Sequence, residues 1–208
     1  MSNEEQRAAT HTRILQAARE IVDTDGEEAA TMKAVAEFAG VSRQTLYLHF
    51  SDRADMIAAL ADHIDETAGL GGWLEAISGE SDGYQRLHRL AEMRFERAWA
   101  LRTVVRAVES ARHRDQAAAE AWRQRFRQNV NDLSNLVVDR LRAEGRVHAS
   151  WQTPQAASLL VVLFSFRAWD DLTHDANWSR EVYIETLTAA AASMLAGPST
   201  MSGDLTND

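Results

Sequence analysis

The chain has 208 residues, no cysteine and a formal net charge of −9. That length supplies one large domain or two small ones with a sizeable core, and the missing cysteine excludes disulfides, thiolate catalysis and zinc-cysteine sites. The acidic balance argues against a protein that coats nucleic acid without regard to sequence.

The first 55 residues do not reverse this, with six basic against ten acidic side chains, a net −4. Any nucleic-acid contact must come from a local cluster, built almost wholly of arginine, with Lys33 the exception. The polar start Ser2 to Glu5 has no apolar signal core. The longest apolar run, Ala157 to Phe166, is interrupted by Ser158 and Ser165 and is too short to cross a bilayer. No membrane partner and a cytoplasmic location are expected.

Two prolines, abundant alanine and the lack of apolar–polar alternation predict an all-α chain. Breaks at Asp25-Gly26, Gly40, Gly69 to Gly72, Ser78 to Gly83, Gly145 and Thr173 to Asn177 divide it into helices. In chain order these fall at about 7–24, 31–38, 42–49, 53–69, 84–98, 100–113, 115–144, 153–172 and 178–196. Thr153-Pro154 opens the eighth as cap and first residue, and its apolar character runs on to Trp169 and Leu172, longer than a strand. The expected architecture is an N-terminal three-helix helix-turn-helix domain over 1–52, a larger helical bundle over 53–197 and a disordered tail over 198–208, about nine helices in all.

The first helix shows Ile14, Ala18, Ile21 and Val22 on one face. The second is capped by Thr31 and shows Met32, Val35, Ala36 and Ala39. Gly40 then provides the freedom a tight turn needs, Val41 plugs the angle between two helices, and Ser42 caps the third. Val41, Leu46 and Phe50 are spaced to face the first two helices. Arg43, Gln44, Tyr47 and Leu48 are left pointing outward, with His49 at the end. A short helix with arginine, amide and aromatic groups on its outer face suits the major groove.

Thr31, Val35-Ala36, Ala39 to Ser42, Thr45 to Tyr47, His49-Phe50 and Asp52 to Ile57 together resemble the DNA-binding signature of the TetR family, over roughly residues 10–60. The resemblance implies a nine-helix dimer that represses genes near its own and leaves DNA on binding a small molecule. Carried over residue by residue, it implies phosphate contact at Thr31. Ser42, Arg43 and Gln44 would meet bases or backbone where the reading helix opens, and Thr45 and Tyr47 phosphates and base edges. His49 would meet the backbone, and Arg53 would stand on phosphate where the family commonly has a lysine. Gln44 departs from a frequent glycine or proline and can read adenine bidentately. Leu48 departs from a common aromatic and can touch a thymine methyl. Each residue also has a plainer role: Thr31 and Ser42 as helix caps, His49 packed on the first helix, and Arg7 and Arg13 solvated rather than reaching the minor groove.

Downstream, Trp73, Phe95, Trp99, Trp122, Phe126, Phe166 and Trp169 are candidate effector contacts, against the plainer reading that they fill the core. Met93 is a flexible neighbour, and His88, Gln124 and Asn129 are candidate polar contacts. The acidic chain disfavours anionic metabolites at long range, so a small, largely apolar, neutral or cationic effector is expected. Glu109/His113 and His88/Glu92 have a one-turn spacing but lack the further carboxylates of a helical metal centre, so no metal, cofactor or catalytic group is expected. The expected partners are a double-stranded DNA operator, the effector and a second copy of the chain. The last is joined through helices at about 153–172 and 178–196, using Ala156, Leu159, Leu160, Val162, Leu163, Phe166 and Trp169, then Val182, Leu187, Ala190, Ala191, Met194 and Leu195. The rivals are a helical-bundle metalloprotein or enzyme, and a TetR-like regulator without an effector.

Overall fold

A computed structural model describes residues 2–67, 72–111 and 131–197. All regular structure among these residues is helical, with no strand. They form two compact units. Unit 1 is drawn from Met1–Gly72 and Glu96–Phe126, unit 2 from Trp73–Phe95 and Arg127–Asp208. This division by packing differs from the expected boundary at residue 52, because Arg53–Thr67 packs on the first helix and the chain returns to unit 1 after Phe95.

Unit 1 begins with α1 (Asn3–Asp25), about four residues earlier than its apolar spacing suggests. The reason is local. The Ser2 hydroxyl accepts from the Glu5 amide while the Glu5 carboxylate accepts from the Ser2 amide at 2.7 Å, a reciprocal cap. Its inner face buries Ile14, Leu15, Ala17, Ala18, Ile21 and Val22. After a 3-10 turn at Glu27–Ala29 come α2 (Met32–Phe38), α3 (Arg43–His49) and α4 (Arg53–Thr67). Asp52 opens α4 by accepting the Asp55 amide at 2.8 Å, and the Asp55 carboxylate in turn accepts the Ser51 amide at 2.9 Å. Val35, Ala36, Leu46, Phe50, Met56, Ile57 and Leu60 close the core against α1.

In unit 2, α5 (Trp73–Gly79) is a seven-residue helix that the sequence reading passes over. The two helices expected at about 84–98 and 100–113 are one, α6 (Gly83–Ala111). No glycine or proline lies within it past Gly83, so nothing in the backbone stops it. Its residues up to Phe95 belong to unit 2 and those from Glu96 to unit 1. Gly83 is required by close approach: a Cβ there would meet the Glu144 carboxylate at 2.7 Å and the Leu141 side chain at 2.8 Å. The Gly83 amide donates to both Glu144 oxygens, at 3.0 and 3.1 Å. Glu144 follows α7, helical over 131–143. The part of the expected helix 115–144 that precedes residue 131 lies outside the described residues, as does the expected tail at 198–208.

The long helix expected over about 153–172 is also corrected. It is split into α8 (Thr153–Leu163) and α9 (Phe166–Asp170), followed by a π-turn at Asp171–Asp175. Ser165 makes the break, leaving the helical conformation and accepting the Ala168 amide at 3.2 Å through its hydroxyl. Ser179 caps α10 (Arg180–Ala196) in the same way. Ala156, Leu160, Trp169, Leu187, Ala191 and Leu195, expected to face a second copy, are buried within the unit instead. Val162, Val182 and Met194 remain exposed, at 66%, 46% and 46%. Among the described residues no helix is long and apolar enough to cross a membrane.

Candidate functional site

The α2–α3 corner of unit 1 is assembled by local rules. The Thr31 hydroxyl accepts the Ala34 amide at 3.1 Å and starts α2. At its end the Gly40 backbone takes φ +64, a left-handed conformation that a Cβ would strain, and the Val41 amide returns to the Ala36 carbonyl at 3.0 Å. The Ser42 hydroxyl accepts the Thr45 amide at 3.0 Å and lies 2.8 Å from the Thr45 hydroxyl. Only seven residues follow in α3, so one face has to hold the helix in place. Leu46 is 0% exposed and Phe50, at its end, 2%. The opposite face carries Arg43, Gln44, Tyr47 and Leu48, all exposed, Leu48 reaching 71%. Three of the large apolar side chains left open to solvent lie in this corner: Phe38, Tyr47 and Leu48.

His49 is half-buried, its ring 5.8 Å from that of His11 and 6.3 Å from Phe50. Burial lowers its pKa from the ordinary histidine value, and the nearby charges of His11 and Arg7 lower it further. The neutral ring is therefore the form the fold prefers. This contributes stability above the unfolded value of about 6.5, which is lost as pH falls through that value toward the lower folded one. The urea midpoint of the protein is expected to drop between pH 7.5 and 5.5, and His49→Gln to flatten that drop. An unchanged slope in the variant would place the dependence on other groups.

Arg53 sits where a phosphate contact is expected, at the first residue of α4, but it is half-buried and its Nε donates to the Ala30 carbonyl at 3.0 Å. That bond ties α4 to the loop before α2, a positioning role that sequence spacing does not disclose. Further along unit 1, Arg97 in α6 forms a two-pronged ion pair with Asp65 of α4, and the Thr103 hydroxyl donates to Asp23 of α1 at 2.7 Å.

The candidate effector residues that are described fall in both units. In unit 2, Phe95 meets Trp169 edge-on at 6.1 Å, and Phe166 lies 5.3 Å from Trp169. Trp73 is half-buried at the start of α5. Trp99 belongs to unit 1, is 55% exposed and lies under the Arg102 guanidinium at 4.6 Å. Trp122, Phe126, Gln124 and Asn129 lie outside the described residues. His88 stands 3.9 Å from Glu92, a carboxylate also bound by Arg89 at 2.9 Å. The sequence reading missed Arg94 and Tyr183, 5% and 0% exposed, the latter 5.4 Å from Phe95. The helical spacing held the signal for the first of them: Arg94 lies three, four and seven residues from the buried Ala91, Leu90 and Leu87, on the apolar stripe of α6.

Buried Leu46 and Phe50, a glycine corner and a short helix with an exposed polar and apolar outer face define the α2–α3 corner of unit 1 as a helix-turn-helix module. Residues 14–60 match the family model of the bacterial regulatory proteins of the tetR family. Over that segment the chain is similar to the DNA-binding domain of the TetR family. The HTH-type transcriptional regulator UidR of Escherichia coli K12 is 40% identical over 70 residues, 34% of this chain and 35% of UidR. The chain thus matches about a third of that relative's length. Across the fold, the Bacillus subtilis transcriptional regulator FadR, solved in complex with stearoyl-CoA, aligns with TM-score 0.68 and 14% identity over 88% of this chain and 97% of its own. A transcriptional regulator from Rhodococcus sp. Rha1 aligns with TM-score 0.65 and 20% identity over 89% and 95%. At such identities the likeness is one of fold.

Proposed function

We propose that the chain is a ligand-responsive transcriptional repressor that binds a palindromic operator as a homodimer and is released by a small, largely apolar effector. No reaction is assigned to it. The observation that carries the reading is the two-faced α3, with Leu46 and Phe50 fully withdrawn and Arg43, Gln44, Tyr47 and Leu48 fully presented. Thr31, Ser42 and Thr45 would meet phosphate through hydroxyls beside amides at helix starts, positions that favour anions. His49 would meet the backbone from the far end of α3. Functionally, residues 1–52 would read DNA and 53–197 would bind effector and partner. Regulators of this fold accept bulky ligands, as the FadR complex with stearoyl-CoA illustrates for that protein.

Release follows from geometry. Two reading helices enter successive major grooves only when they stand about 34–36 Å apart. An effector that binds better to a conformation with another spacing shifts the population by that difference in affinity and no more. The Arg97–Asp65 pair and the Thr103–Asp23 bond fasten α6 to α4 and α1, so a shift of α6 would be passed to the reading domain.

The test is operator binding by variants of the exposed face. Gln44→Ala should change preference at one base pair of the operator by roughly 1–3 kcal/mol if its contact is bidentate, leaving the salt slope alone. Arg43→Ala should weaken binding and flatten the salt dependence if it stands on phosphate. Fluorescence anisotropy with operator variants at several salt concentrations separates the two. Unchanged affinity, preference and slope in both variants would remove α3 from the interface.

A further inference from the structure

We propose that unit 2 holds its effector by a hydrogen-bond-accepting group, a carboxylate or an ester carbonyl, received by the Tyr183 hydroxyl and the Arg94 guanidinium beside the rings of Phe95 and Trp169. This rests on the effector reading above and names the chemistry of its site.

The starting point is an imbalance between the units. Among the described residues, the buried side-chain hydroxyls that lack a hydrogen-bond partner, those of Ser134, Tyr183 and Thr188, all fall in unit 2. Tyr183 matters most, because it is fully buried and its ring is fixed edge-on against Phe95 at 5.4 Å. A buried hydroxyl without a partner is costly, and natural cores keep few of them. Such a group, held among aromatic rings, is a donor presented to something that arrives.

Arg94 precedes Phe95 in α6 and is 5% exposed. Its Nε donates to the Phe164 carbonyl at 2.8 Å, which anchors the guanidinium by one edge. Its charge bears on the Tyr183 hydroxyl: burial pushes that hydroxyl up to about 12, against a smaller downward pull from Arg94. Tyr183 therefore keeps its proton at any physiological pH and stays a donor. A second cation, Arg180, lies 6.0 Å over the Phe95 ring.

The chemistry of this set is one-sided. A guanidinium only donates, and a phenol with its proton fixed donates most strongly to an acceptor. An ammonium ligand would meet donors where it needs acceptors. A carboxylate or carbonyl on an apolar or aromatic body satisfies the hydroxyl, meets the guanidinium and lays its body on the rings. This reverses the expectation drawn from net charge, which favoured neutral or cationic ligands. The remote surface charges act through salt water that screens them within about 8–10 Å, whereas Arg94 acts at contact inside the unit.

The full-length protein is tested with 2-naphthoate, methyl 2-naphthoate, 2-naphthylmethylamine and 2-methylnaphthalene, by thermal shift and tryptophan fluorescence. The naphthoate or its ester should bind, and the amine should not. Tighter binding of the acid or of the ester tells which acceptor the site takes. Tyr183→Phe should melt no lower than wild type without probe, since it deletes only an unpartnered hydroxyl, yet lose about tenfold in affinity for the acceptor probes. Arg94→Gln should weaken the acid more than the ester. The proposal is overturned if the amine binds as tightly as the naphthoate, if Tyr183→Phe binds with unchanged affinity, or if no probe binds. Operator binding is followed in the same samples. Tyr183-dependent binding that leaves operator affinity unchanged would support the site and refute the effector role.

Discussion

Leu46→Ala is expected to remove about 2–5 kcal/mol of stability from the reading domain and to abolish most operator binding at 37 °C. Leu46 is fully buried, and α3 is too short to hold itself by propensity alone. The helix stays in place because Leu46 and Phe50 are gripped by the core that Ile14, Leu15 and Val35 line. Losses of this size are a large share of the ~5–15 kcal/mol that a domain has in total. The paired control is Leu48→Ala, two residues on and 71% exposed. It should leave the urea midpoint almost unchanged while altering operator affinity or preference. Urea unfolding and anisotropy on both variants separate packing from contact. If Leu46→Ala unfolds like wild type, the packing account of α3 fails. If Leu48→Ala loses stability as well, the helix is not two-faced.

What the sequence disclosed follows from how local each cause is. Thr31 and Ser42 are caps because a hydroxyl there reaches an amide three residues on, and Gly40 stands where the backbone turns left-handed. Such features are written in four or five consecutive residues. The same holds for the outward set Arg43, Gln44, Tyr47 and Leu48, which helical spacing fixes once the inward positions are known. Ser165 is just as local, yet its capping role is masked inside an apolar run where no glycine or proline flags a break. The seven residues of α5 are too few to show a period between two glycine-rich stretches. The burial of Arg94 and Tyr183 is another matter, since it depends on how α6, α9 and α10 come together in unit 2. Helical spacing places Arg94 on the stripe of Leu87, Leu90, Ala91 and Ala98 and leaves Arg89 off it, but what that stripe packs against is not local. The bond from Arg53 to Ala30 was obscured for the same reason, as Ala30 lies 23 residues away.

The second large effect concerns assembly. Val162→Glu combined with Val182→Glu is expected to convert the proposed dimer to monomer at micromolar concentration, raising its dissociation constant by about 100-fold or more, equivalent to about 2.7 kcal/mol. The apolar side chains first expected at the interface are divided by the fold, Ala156, Leu160, Leu187, Ala191 and Leu195 being used within unit 2. What remains open is a row on each helix: Gln155, Ser158 and Val162 on α8, and Val182, Thr186, Ala189 and Ser193 on α10. Small residues let helices approach closely, and the two valines are the large apolar groups on those rows. A self-complementary two-fold contact through these rows would cover both valines at once. A stable contact of this kind should bury more than about 1,200 Å² in total. Placing two carboxylates in it leaves charges buried without partners, whereas in a monomer the same carboxylates remain solvated and harmless. The variant should therefore stay folded as a monomer that sediments at half the mass, its thermal midpoint lowered by the lost contribution of association and no longer dependent on protein concentration. Operator binding should fall further than any single contact explains, because one reading helix engages one half-site alone. If the doubly substituted protein still sediments as a dimer, the contact lies elsewhere on unit 2 and these two rows face solvent for another reason.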